Sequence, residues 1–269
     1  TLRYRFEEGA TIRTRDTFVE HEEWDRWMGR TPRTATHAFE FESRWTIVDV
    51  SASGSATIAT TIEAVHVRGG EGEFDSRAGL APTSLAAEAA SALVGATTIW
   101  EVSPLGRLDA VGGSGGGAEW ASLRQRCFAD LILLGVLTQF PILPADGAAP
   151  GDRWEREYRI PVDAIVAELS LTFRYALPGG EEPVGGDRLQ FEIEPIQIGR
   201  RTILVEPTNL RSEGTGHISI DVRTGLPIAT EWTIESTMDV ESHIPPPIGD
   251  GTWTSRLTIV HERRSERLP

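Results

Sequence analysis

The sequence predicts a mainly β fold in which long antiparallel strands form a curved sheet or a half-open barrel. Apolar and polar residues alternate along many segments, which is typical of strands with one buried and one solvated face. Several of these segments exceed the usual strand length of about five or six residues. A third observation is the long apolar segment 118–140, which predicts a helix packed on the concave face of the sheet.

The alternation is clearest over 166–177, where every second residue is apolar and the intervening residues are polar. It recurs more or less strongly over 39–47, 189–193, 228–240, 2–7, 11–19, 55–68, 217–222 and 253–261. Strands with one wet face belong to antiparallel sheets, because parallel sheets are covered on both sides and have continuous apolar strands.

Two local irregularities are also predicted. The apolar phase slips between Ile62 and Val65, which predicts a β-bulge near Glu63. The segment 222–227, Val-Arg-Thr-Gly-Leu-Pro, predicts a tight turn that joins 217–222 to 228–240.

Two helices are expected to interrupt the strands. The Ala-rich segment 84–94 has cap candidates before it and is followed by Gly95, so it predicts a short helix. The segment 118–140 ends at Pro141 and is apolar nearly all round over 131–137, which predicts a helix buried on most sides. Because both halves of the chain are needed to cover that helix, we expect 1–269 to be a single domain with possible sub-halves 1–115 and 150–269.

Composition excludes several kinds of chemistry. The net charge is −14, which disfavours binding to nucleic acid. All 26 basic residues are arginine, so lysine-based Schiff-base and phosphate chemistry is excluded. Cys127 is the only cysteine and cannot form an intramolecular disulfide. We predict no cofactor, no metal site and no catalytic residue, and no apolar stretch is long enough for a transmembrane helix.

One motif leaves an enzymatic alternative open. Gly112-Gly113-Ser114-Gly115-Gly116 matches the G-x-S-x-G pattern of a hydrolase nucleophile elbow, with Ser114 as the nucleophile. That fold requires parallel βαβ units, which the sequence does not indicate, so a flexible linker is the alternative interpretation.

Aromatic residues suggest a binding role instead. The chain has eight tryptophans, and aromatic side chains at the mouth of a β cradle can contact an apolar ligand. One helix can hardly cover the apolar faces of so many strands, so the remainder must meet a ligand, a partner or another layer. We therefore predict a non-enzymatic protein that binds an apolar ligand or lipid. The candidate ligand-binding residues are Trp100, Trp120, Phe128, Leu131, Trp154, Phe173 and Phe191.

Two segments resemble known proteins. Residues 151–154, Gly-Asp-Arg-Trp, preceded by Leu143-Pro144, and residues 214–227 resemble β-rich exported bacterial proteins classed only as domains of unknown function. More remotely, long antiparallel strands around an apolar helix resemble the lipoprotein carriers of the LolA type, which hold acyl chains in a half-open barrel. These resemblances imply a periplasmic, cell-envelope or secreted location and a lipid ligand. The alternative function is a structural or interaction component of a bacterial envelope assembly, with an envelope protein as its partner.

Overall fold

Thirteen strands in the described residues belong to one antiparallel sheet. The computed structural model describes residues 1–27, 31–69, 72–79, 81–114, 140–162, 165–175, 186–193, 197–199, 205–221, 227–243 and 252–269. The antiparallel β character predicted from the alternation is therefore confirmed.

The strands fall into two groups along the chain. The first group is β1 (Thr11–Trp27), β2 (Thr31–Val50), β3 (Ala56–Gly69), β4 (Gly72–Asp75), β5 (Thr97–Val102) and β6 (Leu108–Ser114). The second group is β7 (Arg153–Val162), β8 (Ile165–Tyr175), β9 (Gly186–Ile193), β10 (Gln197–Gly199), β11 (Val205–Asp221), β12 (Pro227–His243) and β13 (Thr252–Leu268). One helix, α1 (Leu85–Ser91), lies between β4 and β5.

The strand order places β6 and β7, which are consecutive in the chain, at opposite edges of the sheet. The order β8-β9-β11-β12-β13-β1-β2-β3-β5-β6 joins the two groups where β13 pairs with β1. Strand β8 pairs with β7 along one side, and β9 and β10 share its other side. The described sheet therefore has β6 at one edge and β7 at the other, and the connection between them has to pass from edge to edge.

The predicted bulge is confirmed. Glu42 pairs with Ala64 and Ser43 pairs with Ile62, so Glu63 is the extra residue of a bulge in β3. Strands β11 and β12 pair antiparallel, with Ile220 opposite Pro227, whereas most of the predicted turn 222–227 lies outside the described residues.

The strands are longer than the alternation predicted, and β1, β11, β12 and β13 each have 17 residues. Strand β1 continues beyond the predicted 11–19 through polar residues because β2 and β13 pair with it along both sides. Backbone hydrogen bonds on both sides hold a strand extended even where its side chains do not alternate. The predicted strand over 2–7 is not formed, and only Leu2 makes a bridge, to Ala148.

The prediction of a long apolar helix is wrong, whereas the predicted short helix forms. In the described part of the chain, α1 is the only helix; it covers seven residues of the expected 84–94, and Ser84 Oγ accepts a hydrogen bond from the Ala87 amide. Most of the expected helix 118–140 lies outside the described residues. Its last residue, Phe140, belongs to an irregular segment instead. An apolar run alone does not distinguish a buried helix from other buried chain.

The irregular segment 140–149, named here the strap, holds both edges of the sheet. The Leu143 amide donates to the carbonyl of Leu105 at 2.8 Å, in the loop between β5 and β6. At the opposite edge, Trp154 Nε1 in β7 donates to the carbonyl of Ile142 at 2.9 Å. One short segment can reach both edges only if the sheet is curled. The face enclosed by this curl is named the inner face.

The N-terminal residues fasten the strap from the other side. The Leu2 amide donates to the Ala148 carbonyl at 2.6 Å, and the Tyr4 amide donates to the Pro104 carbonyl at 3.0 Å. The Tyr4 hydroxyl donates to the Pro141 carbonyl at 3.0 Å. These contacts form one layer of irregular chain across the open end of the curled sheet.

A substitution at Gly106 can show how tightly the strap is packed. It has a positive φ of 85°, and a Cβ there would lie 2.4 Å from the Pro141 carbonyl oxygen. Gly95 has a φ of 84° with no atom within 4 Å of the same position. We expect Gly95→Ala to cost about 1–2 kcal/mol of unfolding free energy from backbone strain. Gly106→Ala should cost about 1–3 kcal/mol more from the clash. Urea denaturation of both variants measures this difference, and equal losses would show that the strap is loosely held.

Candidate ligand site on the inner face of the sheet

Two apolar crevices on the inner face share the side chains of Trp45 and Phe140. The lining of the first crevice comes from both strand groups: Ile12, Thr14, Trp45, Phe140, Pro227, Ile228, Ala229, Thr230 and Ser265. The lining of the second comes from the first group and the strap: Ala10, Ile12, Trp45, Ile47, Ile58 and Phe140. Each cavity has a volume of about 10 Å³, which is the space that one water molecule needs.

The Phe140 ring lines both crevices. Its centroid lies 5.9 Å from that of Trp45 and 5.5 Å from that of Tyr4, and the side chain is 3% exposed. Phe140 is carried by the strap and not by a strand, so the sheet could keep its hydrogen bonds if the ring moved.

A buried ion pair lies on the same face. Arg263 of β13 donates to Asp16 of β1 with 2.5 Å between Nη2 and Oδ1, and the arginine side chain is 2% exposed. Thr14 donates to Asp16 Oδ2 at 3.2 Å, and Trp45 Nε1 donates to Thr14 Oγ1 at 3.3 Å. The guanidinium also lies over the Phe18 ring at 5.4 Å. The pair brings no net charge, so this part of the inner face is polar but neutral.

Strand β12 adds two buried donors beside the ion pair. Trp232 is the register partner of Arg263, and Thr230 is the partner of Ser265. In the part of the chain that the structure describes, the indole Nε1 of Trp232 and the hydroxyl of Thr230 have no hydrogen-bond partner, although these residues are only 2% and 1% exposed. Native structures seldom bury such groups without a partner, because each costs about 1–3 kcal/mol.

Carboxylates occupy the continuation of β1. Glu20 and Glu22 follow the same alternation as the inward-facing Asp16 and Phe18, and Trp24 Nε1 donates to Glu22 Oε2 at 3.3 Å. Burial raises the pKa of Glu22, and the neighbouring negative charge of Glu20 raises it further. The environment around Glu22 therefore disfavours an additional negative charge.

The outer face carries a separate ionic cluster centred on Glu42. This carboxylate accepts hydrogen bonds from both Nη atoms of Arg77, and from Arg15 Nη2 at 2.9 Å. Arg13 Nη2 lies 3.5 Å from the same carboxylate and bonds Glu63 through its Nε. The hydrogen bond from Arg77 is the largest cause that holds the pKa of Glu42 below its ordinary value, and Arg15 lowers it further. This cluster of three arginines and two glutamates stabilises the bulged region of β3.

The structure places four of the seven predicted ligand-binding residues. Trp154 is buried, and its ring stacks on Phe173 with centroids 5.6 Å apart. Phe191 pairs in register with Phe173. Trp100 is distant from them in the strand order; it pairs with Ile58 and packs against the apolar core. Trp120, Phe128 and Leu131 lie outside the described residues, and the ligand-binding role of all seven stays a prediction.

Ser114 lies in a strand. Gly112, Gly113 and Ser114 pair with Ile99, Thr98 and Thr97 as the last residues of the antiparallel strand β6. A nucleophile elbow needs a sharp turn between a strand and a helix, and this extended pairing differs from it.

Sequence reasoning missed the polar residues of the inner face. Asp16, Arg263 and Thr230 stand at apolar-phase positions of their strands, and this departure from alternation was the available signal. It could not show that Asp16 and Arg263 meet, because 247 positions separate them along the chain. Phe140 was missed for another reason, since it was assigned to a helix.

No protein-family model and no curated protein sequence matches the chain. Among solved structures, the chain is similar to lipovitellin in a structure that describes its lipid–protein interactions, with a TM-score of 0.55 and 9% identity. The match covers 98% of this chain and 26% of that one, so this chain spans about a quarter of the lipovitellin length. At this identity the likeness shows the fold alone.

A second solved structure, a mutant of the Rh. blastica porin, has a TM-score of 0.22 and 5% identity. The match covers 96% of this chain and 100% of the porin chain, but a score that low carries no argument about the fold. Within the described residues, no helix is long and apolar enough to cross a membrane. The same residues contain no group of side chains that could hold a metal ion.

We expect Glu42→Gln to destabilise the protein by about 2 kcal/mol at neutral pH, because a charged acceptor of hydrogen bonds is lost. The folded state holds the pKa of Glu42 below its unfolded value, so its contribution exists at neutral pH and disappears as the pH falls through the folded pKa. Urea denaturation at pH 7 and at progressively lower pH should show the two proteins converging in acid. Glu231→Gln, at an exposed site, should change stability by less than about 0.5 kcal/mol.

Asp16→Asn should cost about 3–5 kcal/mol, because it leaves the Arg263 charge buried without its carboxylate. The double variant Asp16→Asn, Arg263→Met removes that charge and should recover part of the loss. Denaturation curves of the wild type, both single variants and the double variant give the coupling energy. Purely additive losses would mean that the two charges do not stabilise each other.

Proposed function

We propose that this chain binds an apolar ligand of the lipid class on the inner face of its sheet. The observation that carries the proposal is the first crevice, which Phe140 and Trp45 line together with β12 residues. Its lining comes from the four adjacent strands β12, β13, β1 and β2 and from an apolar side chain that is not part of the sheet. An acyl chain has the shape and polarity to take the place of that side chain.

The large inner face and the small amount of described chain that packs on it support the proposal. Within the described residues, thirteen strands share one inner face, while only the strap, the N-terminal residues and a helix of seven residues pack beside them. Sheets bury their apolar face against another layer or against something bound. A bound lipid would contact the apolar side chains of this face next to the strap.

The comparison with lipovitellin also supports the proposal. That protein is described by its lipid–protein interactions, and the similarity in fold extends over 98% of this chain. An open, curled antiparallel sheet is therefore compatible with lipid binding. The exported location and the envelope protein partner stay predictions from the sequence.

Binding requires the Phe140 ring to move, because the present cavities have room for about one water molecule each. We therefore expect Phe140→Ala to lower the Kd for an apolar ligand by about tenfold, which corresponds to about 1.4 kcal/mol. The probe is Nile red, an uncharged dye whose fluorescence rises in apolar surroundings, titrated with the purified full chain. Native mass spectrometry and lipid extraction of the same preparation show whether lipid is already bound.

Phe39→Ala is the matched control. Phe39 is also a phenylalanine that is 3% exposed, but it does not line either crevice. Both variants should lose about 3–5 kcal/mol of stability, and only Phe140→Ala should bind the dye more tightly. Titrations are made under conditions in which circular dichroism shows both variants folded. No saturable binding of Nile red to any of the three proteins, together with no co-purifying lipid, would refute the proposed function.

A further inference from the structure

We propose that Thr230, which lines the first crevice, and Trp232, two residues along on the same face of β12, form a subsite for the uncharged carbonyl oxygen of an acyl lipid, such as an ester. This inference rests on the proposed function and specifies the chemical class of its ligand. It assigns the polar end of the ligand to β12, with the acyl chain beside Trp45, Ile12 and Ile228.

The hydrogen bond that Trp232 lacks indicates which kind of ligand atom suits it. An indole N–H can only donate, so the partner that Trp232 requires is an acceptor. The Thr230 hydroxyl, two residues away on the same face of β12, can donate to the same acceptor and lines the crevice. A carbonyl oxygen has two lone pairs and suits two neighbouring donors.

The charges around Thr230 and Trp232 favour an uncharged ligand oxygen. The cation nearest in the register, Arg263, is already matched by Asp16, so it offers no net positive charge. The same face carries Glu20 and Glu22 farther along β1, and burial raises the pKa of Glu22. Among the described residues of this face, a buried carboxylate or phosphate would lack a compensating cation. An uncharged carbonyl oxygen meets the need for an acceptor without that cost.

The position of Thr230 within an apolar lining indicates where the acyl part of the ligand lies. Thr230 shares the first crevice with Ile12, Trp45, Phe140 and Ile228. A ligand that replaces the Phe140 ring would therefore present its acyl part to apolar side chains and its oxygen to β12. The polar lining of the crevice comes from Thr14, Thr230 and Ser265, none of which is charged.

The test compares three ligands with the same chain length: dodecane, methyl laurate and laurate. We measure the Kd of each by displacement of Nile red from the full chain. Methyl laurate should bind about tenfold more tightly than dodecane, the expected effect of about 1.4 kcal/mol of hydrogen bonding. Laurate at pH 8 should bind more weakly than methyl laurate.

The variants are the nearly isosteric substitutions Trp232→Phe and Thr230→Val, singly and together. The double variant should abolish the preference for methyl laurate over dodecane and leave the Kd of dodecane unchanged. Thr60→Val is the control, because it removes another buried hydroxyl without a partner, on β3 outside both crevices. Urea denaturation serves as a second measurement. Neither β12 substitution should reduce the stability of the free protein through a lost hydrogen bond, because neither donor has a partner.

The outcomes separate this inference from the function on which it rests. Equal binding of dodecane and methyl laurate, unaltered in the β12 variants, would overturn the carbonyl subsite and leave an apolar binding site. Tighter binding of laurate than of methyl laurate would overturn the argument from charge. Failure of Nile red and of all three ligands to bind would refute the proposed function itself.

Discussion

The curl of the sheet depends on the hydrogen bonds that join the strap to both of its edges. Leu143 bonds the loop before β6 and Ile142 bonds Trp154 of β7, so adjacent strap residues connect strands at the two ends of the order. An open antiparallel sheet of this width could otherwise twist without bringing its edges together. The inner face, its crevices and the position of Phe140 all follow from this constraint.

The two faces of the sheet differ in how far their charged side chains are exposed to solvent. On the outer face, Glu42 and its arginines form a cluster at the bulge in β3, where several partners are exposed and solvent moderates each interaction. On the inner face, Asp16 and Arg263 are shielded from solvent, and their mutual neutrality allows them to be buried among apolar side chains. The outer cluster contributes to stability, whereas the inner pair keeps its part of the inner face neutral.

Part of this architecture could be predicted from the sequence. The strands, their antiparallel pairing, the bulge at Glu63 and the hairpin before Pro227 each depend on local patterns of alternation and turn residues. The strap depends on contacts between distant segments, and a helix was expected where Phe140 packs irregularly. The site was harder still, because a single aspartate or arginine out of phase does not reveal its partner. Trp154 and Phe173, both predicted to bind a ligand, stack on each other in register, and their ligand-binding role stays a prediction.

The pairing of β1 with β13 has a consequence for how the molecule assembles. During synthesis β1 is made first among the thirteen strands and β13 last, yet they lie side by side in the middle of the sheet. Strands β1 to β6 can associate early, but the free edge of β1 remains exposed until nearly the whole chain has emerged. Such late, distant pairing slows folding and leaves a long edge open to other chains. Thr14 and Asp16 near the start of that edge are polar and inward-facing. They should reduce pairing of the exposed edge with other chains before β13 is made.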